Sequence, residues 1–205
     1  MSKNSNGTGT NREKILKIAT GGICIALAFV LSQIKLFSMP MGGSVTPASS
    51  LPIVVCSVAF GPVWGFVVAF IFSLLQLIGG VLVSPFQVLL DYTIGFTALG
   101  FAGFAAPGAK AGSRITNALF RYRRASLVKI LVFTIAAYVV RWLGSVVSGV
   151  IFWGDYAAEA GFNSALIYSI VYNGSFLLAE LGILIAVLII FYFAIPSHKA
   201  SKTEA

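Results

Sequence analysis

The chain has 205 residues, of which 58% are hydrophobic and only 10% charged. A soluble domain carries about 25% charged residues, so this is an integral membrane protein of one domain, and no apolar-free region is long enough for a second core. The net charge of +8 is not a nucleic-acid signal, because the basic residues lie between apolar blocks, where they act as topology determinants.

In chain order, residues 1–11 are rich in Ser, Asn and Gly and read as a disordered tail. The run Ile15–Leu36 is too long for a signal h-region and has no small-residue cleavage site after it, so it predicts a first membrane helix. On it, Gly22 and Ala26 are small residues four apart, with Ala19 a turn earlier. That spacing admits a close helix neighbour, either within the bundle or from a partner subunit. Residues 37–50 are rich in Gly, Pro and Ser but keep apolar side chains; they read as a lid over an outward-facing cavity or as a plain connector.

Further apolar blocks follow at 49–79, 84–106, 126–153 and 165–195. Spanning takes about 20 residues, so 49–79 is long for one pass, and Gly61-Pro62 interrupts it. Charge parity decides the count. Basic residues cluster before the first block (Lys3, Arg12, Lys14, Lys17), at 110–129 and after the last block (Lys199, Lys202). All three clusters fall on the cytoplasmic side only if 49–79 crosses twice. The expected fold is all-α, with six transmembrane helices over residues 12–196, both termini cytoplasmic and 197–205 a cytoplasmic tail. The second helix, about 13 residues, is short for a full span. Cys24 and Cys56 lie in apolar runs as free thiols packed like small hydrophobes. Neither belongs to a metal-spaced cluster, and the only histidine is His198 in the tail, so no metal or haem site is expected.

Three ionisable groups fall at membrane depth: Asp91, Arg141 and Glu180. Each costs about 2.5–3.5 kcal/mol on insertion scales, so each is expected to face a cavity or a partner. Arg141 and Glu180, near the middle of the last two helices, read as a mutual pair. Asp91 falls in the outer half of the bilayer, at the depth of Tyr92, Trp153, Tyr168 and Asn173. Tyr168, Tyr172 and Ser175 share one helix face, and Asn173 lies off it. These groups form either an outward pocket or an interfacial aromatic belt. As a pocket, the acid and aromatic faces suit a small, planar, heteroaromatic cation, and Tyr and Asn supply directional hydrogen bonds. No Gly-x-x-x-x-Gly-Lys-Ser/Thr loop is present, so any energy for uptake comes from an ion or from another protein.

Five segments carry a family resemblance: Met39–Ile53, Gln87–Tyr92, Leu99–Gly103, Ser148–Ala157 and Tyr168–Asn173. With them the chain resembles the thiamine-specific S components of energy-coupling factor (ECF) transporters, the ThiT or YuaJ family. The resemblance implies a six-helix S-component bundle in the bacterial plasma membrane that binds thiamine with high affinity at the outer side. It implies a partner module of one transmembrane coupling protein and two ATPases, so that ATP is used in partner chains and this chain carries no cofactor. By the same resemblance Asp91, Tyr92, Trp153, Tyr168 and Asn173 contact the ligand, and Gly149 joins them. So do Ser145, where some members have His, and Phe72, where some have Trp. Some members have Glu at the Asp91 position, and some a Trp near Gly42-Gly43. Gly22 and Ala26 become the docking surface for the coupling protein. Two readings compete with this non-catalytic one. A proton-coupled secondary carrier for thiamine or a related pyrimidine would titrate Asp91 or Glu180. An intramembrane enzyme is disfavoured by the lack of a Ser–His or Cys–His pair or metal cluster.

Overall fold

The computed structural model describes residues 6–108 and 117–196. Helix α1 spans Asn6–Gln33, α2 Leu51–Phe60 and α3 Pro62–Leu75. A composite α4 covers Pro85–Ala105. Then come α5, Ala118–Arg124; α6, Leu127–Phe152; a single turn α7, Tyr156–Glu159; and α8, Ala165–Ala194. Helices α1, α4, α6 and α8 are long and apolar enough to cross a membrane, whereas α2 and α3, with 10 and 14 residues, are shorter apolar helices. The helix begins at Asn6, ahead of the expected end of the disordered tail at residue 11. An ion pair between Glu13 and Lys17 (3.3 Å), one turn apart, supports its early turns. Residues 1–5, part of the basic loop with Lys110 and Arg114, and the tail from 197 lie outside the described residues.

The break between α2 and α3 falls at Gly61, where φ is +90° and only glycine is comfortable. Helix α2 occupies only part of the bundle's depth. It starts where the Ser50 hydroxyl meets the Tyr138 phenol near the middle of α6 (3.2 Å), and it ends where Phe60 lies under the Arg121 guanidinium of α5 (5.4 Å). Above its start the chain is not helical. Strands β1, Phe37–Ser38, and β2, Ser44–Val45, pair antiparallel with Phe37 opposite Val45. Thr46, Ser49 and Ser50 then run buried between the helices. Non-helical backbone at membrane depth persists only where its polar groups find partners. Here Ala48 N–H donates to the Thr46 carbonyl (2.8 Å), and the Thr46 hydroxyl donates to Glu180 (3.0 Å). The shortness of the second helix thus has a cause: the largely buried residues ahead of it, Thr46 to Ser50, run through bends and a turn instead of continuing the helix. The expected 37–50 outer loop is two things, a short hairpin and a buried strut.

Helix α4 is irregular. It is α-helical over Pro85–Val88, widens to a π turn over Leu89–Ile94, and tightens to a 3-10 helix over Ala98–Ala105. Its glycines explain how it packs. A Cβ on Gly100 would lie 2.5 Å from the Phe66 ring, and one on Gly103 would lie 2.5 Å from Pro62 Cα, so α4 leans directly on the start of α3. Gly144 of α6 sits beneath the Leu90 carbonyl, which a Cβ would approach to 3.0 Å. The wide turn therefore lies against α6 at the level of Asp91, the kind of local deviation that recurs at functional sites.

Candidate functional site

A cavity of about 190 Å³ opens at the end of the bundle that carries the hairpin, the α3–α4 turn and the α6–α8 connection. Asp91, Tyr92, Ser145, Gly149, Trp153, Tyr168 and Asn173 all line it. Seven of the expected ligand contacts thus converge on one hollow, which an interfacial belt facing lipid would not do. Phe72 does not line it. It is fully buried, with its ring edge-on to Phe96 at 5.5 Å, and Phe96 forms the wall in front of it.

Asp91 is held by neutral donors. Gln87 Nε2, one turn earlier on α4, donates to Asp91 Oδ2 (2.8 Å), and the Ser148 hydroxyl of α6 donates to the same oxygen (2.6 Å). Gln87 Oε1 in turn accepts from Val83 N–H (3.2 Å), tying the acid to the α3–α4 turn. Among the described residues no basic side chain forms an ion pair with Asp91. Its neighbour Tyr92 uses its phenol structurally, accepting from Val81 N–H (2.8 Å) and donating to the Val81 carbonyl (3.2 Å), while its ring stacks on Phe96.

On α8 the face toward the cavity comprises Tyr168, Ser169, Tyr172, Asn173 and Phe176. The stripe of Tyr168, Tyr172 and Ser175 is therefore rotated from the expected one: Ser175 points to Met39 instead, and Asn173 joins the site. Asn173 donates its amide N–H groups to the Ser145 carbonyl (3.1 Å) and the Ser169 carbonyl (3.0 Å). Gly149 makes this crossing possible, since a Cβ there would lie 2.1 Å from the Ser169 hydroxyl. Trp153 closes α6, its N–H bonded to the Gly149 carbonyl (3.0 Å) and its ring 6.2 Å from Tyr156.

Two connecting segments cover the hollow. The Tyr172 hydroxyl donates to the Pro40 carbonyl and accepts from Gly43 N–H, so it staples the hairpin turn to α8. Gly42 (φ +95°) is so close to Val81 that a Cβ would approach it to 2.9 Å. Hairpin and α3–α4 turn therefore meet, and Met41, Gly42, Gly43 and Val81 all line the cavity.

Arg141 and Glu180 do pair, with Nη1 to Oε2 at 2.9 Å, and Glu180 is only 2% exposed. Sequence reasoning missed that Arg141 also lines the cavity, its guanidinium carbon 4.1 Å from the centre of the Phe96 ring. It missed Gln87 and Ser148 too, although the i, i+4 spacing of Gln87 and Asp91 is a readable signal. Outside the site, Gly22 and Ala26 are exposed on α1, and nothing packs where a Gly22 Cβ would be. Cys24 and Cys56 are buried and free.

Comparison with known proteins gives consistent matches. A family model described as thiamine transporter protein (Thia_YuaJ) matches residues 18–200. The thiamine transporter ThiT of Bacillus subtilis is 28% identical over 189 residues, covering 90% of this chain and 94% of that protein. ThiT of Lacticaseibacillus paracasei is 28% identical over 129 residues, 60% of this chain and 61% of that protein. A solved structure of ThiT from Listeria monocytogenes shares the fold with a TM-score of 0.67 at 23% identity, covering 88% of this chain and 95% of that one.

Proposed function

This chain belongs to the thiamine transporter (Thia_YuaJ) family of multi-pass membrane proteins, and we propose that it is the substrate-capture subunit of an ECF-type importer that binds thiamine with high affinity from the outer side. The observation that carries this reading is the convergence of Asp91 and Trp153 on one cavity. Thiamine joins an aminopyrimidine to a cationic thiazolium. A carboxylate without an ionic partner favours such a cation, and an indole face favours its electron-poor rings. Trp153 stacks on the aminopyrimidine. Asp91, Tyr168 and Asn173 give the polar contacts. The Asn173 amide N–H groups are already engaged by protein carbonyls, which leaves its carbonyl oxygen to accept from the ligand's amino group. Ser145 and Gly149 set the floor between them, and Tyr92 acts mainly by holding the wall and the α3–α4 turn.

The energising partners are one transmembrane coupling protein and two ATPases, with the exposed Gly22–Ala26 face of α1 as docking surface. Six crossings and cytoplasmic termini belong to the same proposal, as does the placement of the cavity at the outer face. The chain itself is not an enzyme.

Tryptophan fluorescence titration with thiamine tests the site. Saturable quenching is expected in the parent, and Trp153→Ala should lose most of the signal and weaken binding by about 0.5–2 kcal/mol when followed by calorimetry. A Trp153→Ala variant that binds as the parent does would place the ligand elsewhere. Liposomes holding this chain alone should bind thiamine without accumulating it; uptake driven by a proton gradient would favour a secondary carrier instead.

A further inference from the structure

Three charged groups line the cavity: Asp91 on α4, the buried Arg141 on α6, and Lys35, which is exposed to solvent just after α1. Arg141 runs past α4 one turn beyond Asp91, where a Cβ on Gly95 would lie 3.3 Å from Arg141 Cγ. Left to itself, a guanidinium so placed would claim the nearest carboxylate, and Asp91 would be lost to any cationic ligand. It does not, because Glu180 takes it from behind the wall. Glu180 Oε2 binds Arg141 Nη1 at 2.9 Å, and Oε1 accepts from Thr46 at 3.0 Å in the buried strut below the hairpin. Glu180 itself does not line the cavity. The Phe96 ring, 4.1 Å from the guanidinium carbon and propped from behind by Phe72, completes the cradle.

We propose that Glu180 is a positioning residue that sets the charge selectivity of the cavity: by sequestering Arg141, it keeps Asp91 available to a cationic ligand. This rests on the reading of the cavity as a thiamine site. The pair is then more than compensation for burial. With Arg141 engaged behind the wall, Asp91 is the one carboxylate of the lining and stays open to a ligand.

The test is calorimetric titration of the purified full chain with two probes, thiamine and the uncharged 4-amino-5-hydroxymethyl-2-methylpyrimidine. Glu180→Gln keeps an acceptor for Thr46 but removes the charge that holds Arg141. It should weaken thiamine by about tenfold or more and leave the neutral pyrimidine within about twofold of the parent. Arg141→Gln removes the rival cation and should keep thiamine binding. The double variant Arg141→Gln/Glu180→Gln should restore it, which a merely structural role would not produce. If Glu180→Gln is not recovered folded, the other two variants carry the test: thiamine retained in both supports the proposal, and thiamine lost in both overturns it. Equal losses of both probes in Glu180→Gln, or no rescue in the double variant, also overturn it while leaving thiamine as the ligand. A parent chain that binds no thiamine would instead overturn the proposed function, and this inference with it.

Discussion

Asp91 and Glu180 are both carboxylates set in apolar helices, yet their surroundings differ. Glu180 is 2% exposed and ion-paired to Arg141, with its second oxygen taken by Thr46. Asp91 is half-buried beside a cavity, receives hydrogen bonds from neutral side chains, Gln87 and Ser148 with Ser145 beside them, and has no ionic partner among the described residues. The cost of burying a charge is met inside the protein in one case and left open in the other. The comparison teaches that an intramembrane acid is informative about ligands only once its cation has been sought in the rest of the chain.

The largest expected effect breaks the closed side of this comparison. Glu180→Ala leaves the Arg141 guanidinium buried without compensation, and thermal unfolding in detergent should report a loss of about 3–5 kcal/mol. Unchanged stability would mean that water or lipid phosphate reaches Arg141. Next, Asp91→Asn should leave the melting temperature close to the parent's, since Asn still offers an oxygen to Ser148 and Gln87, but should weaken thiamine by about 1.5–3 kcal/mol in calorimetry. A variant that unfolds and still binds when folded would reverse the two roles. Ser148→Ala removes one of the donors that orient Asp91 and should cost about 1 kcal/mol of thiamine affinity. The smallest effect is expected far from both acids: Gly22→Leu on the exposed face of α1 should leave thiamine binding by the isolated chain unchanged while reducing uptake in cells. Loss of binding in the isolated chain would show that α1 shapes the cavity.

Much of this was legible because membrane burial makes charge costly. Asp91 stood out as an acid in hydrocarbon, and Arg141 and Glu180 as the pair that could neutralise each other. Trp153, Tyr168 and Asn173 followed from depth along their helices. The shortness of the second helix was also visible, but not its cause. Thr46, Ser49 and Ser50 read as outer loop because they are polar, whereas they are buried polar contacts at helix depth. The π turn over Leu89–Ile94 leaves no mark in residue type, since it is a shift in backbone hydrogen bonding. Phe72 was drawn into the site through the resemblance, but the facing of α3 puts it one ring behind, with Phe96 in the wall. Helix rotation separates such neighbours, and highly apolar helices carry little periodic signal by which to read it.

The most direct test is an experimental structure of the chain with thiamine bound. Ligand density is expected inside the hollow between Asp91 and the Trp153 indole, with Arg141 still paired to Glu180. Density outside that hollow, or an Asp91 turned away from the ligand and bridged to Arg141, would contradict the account.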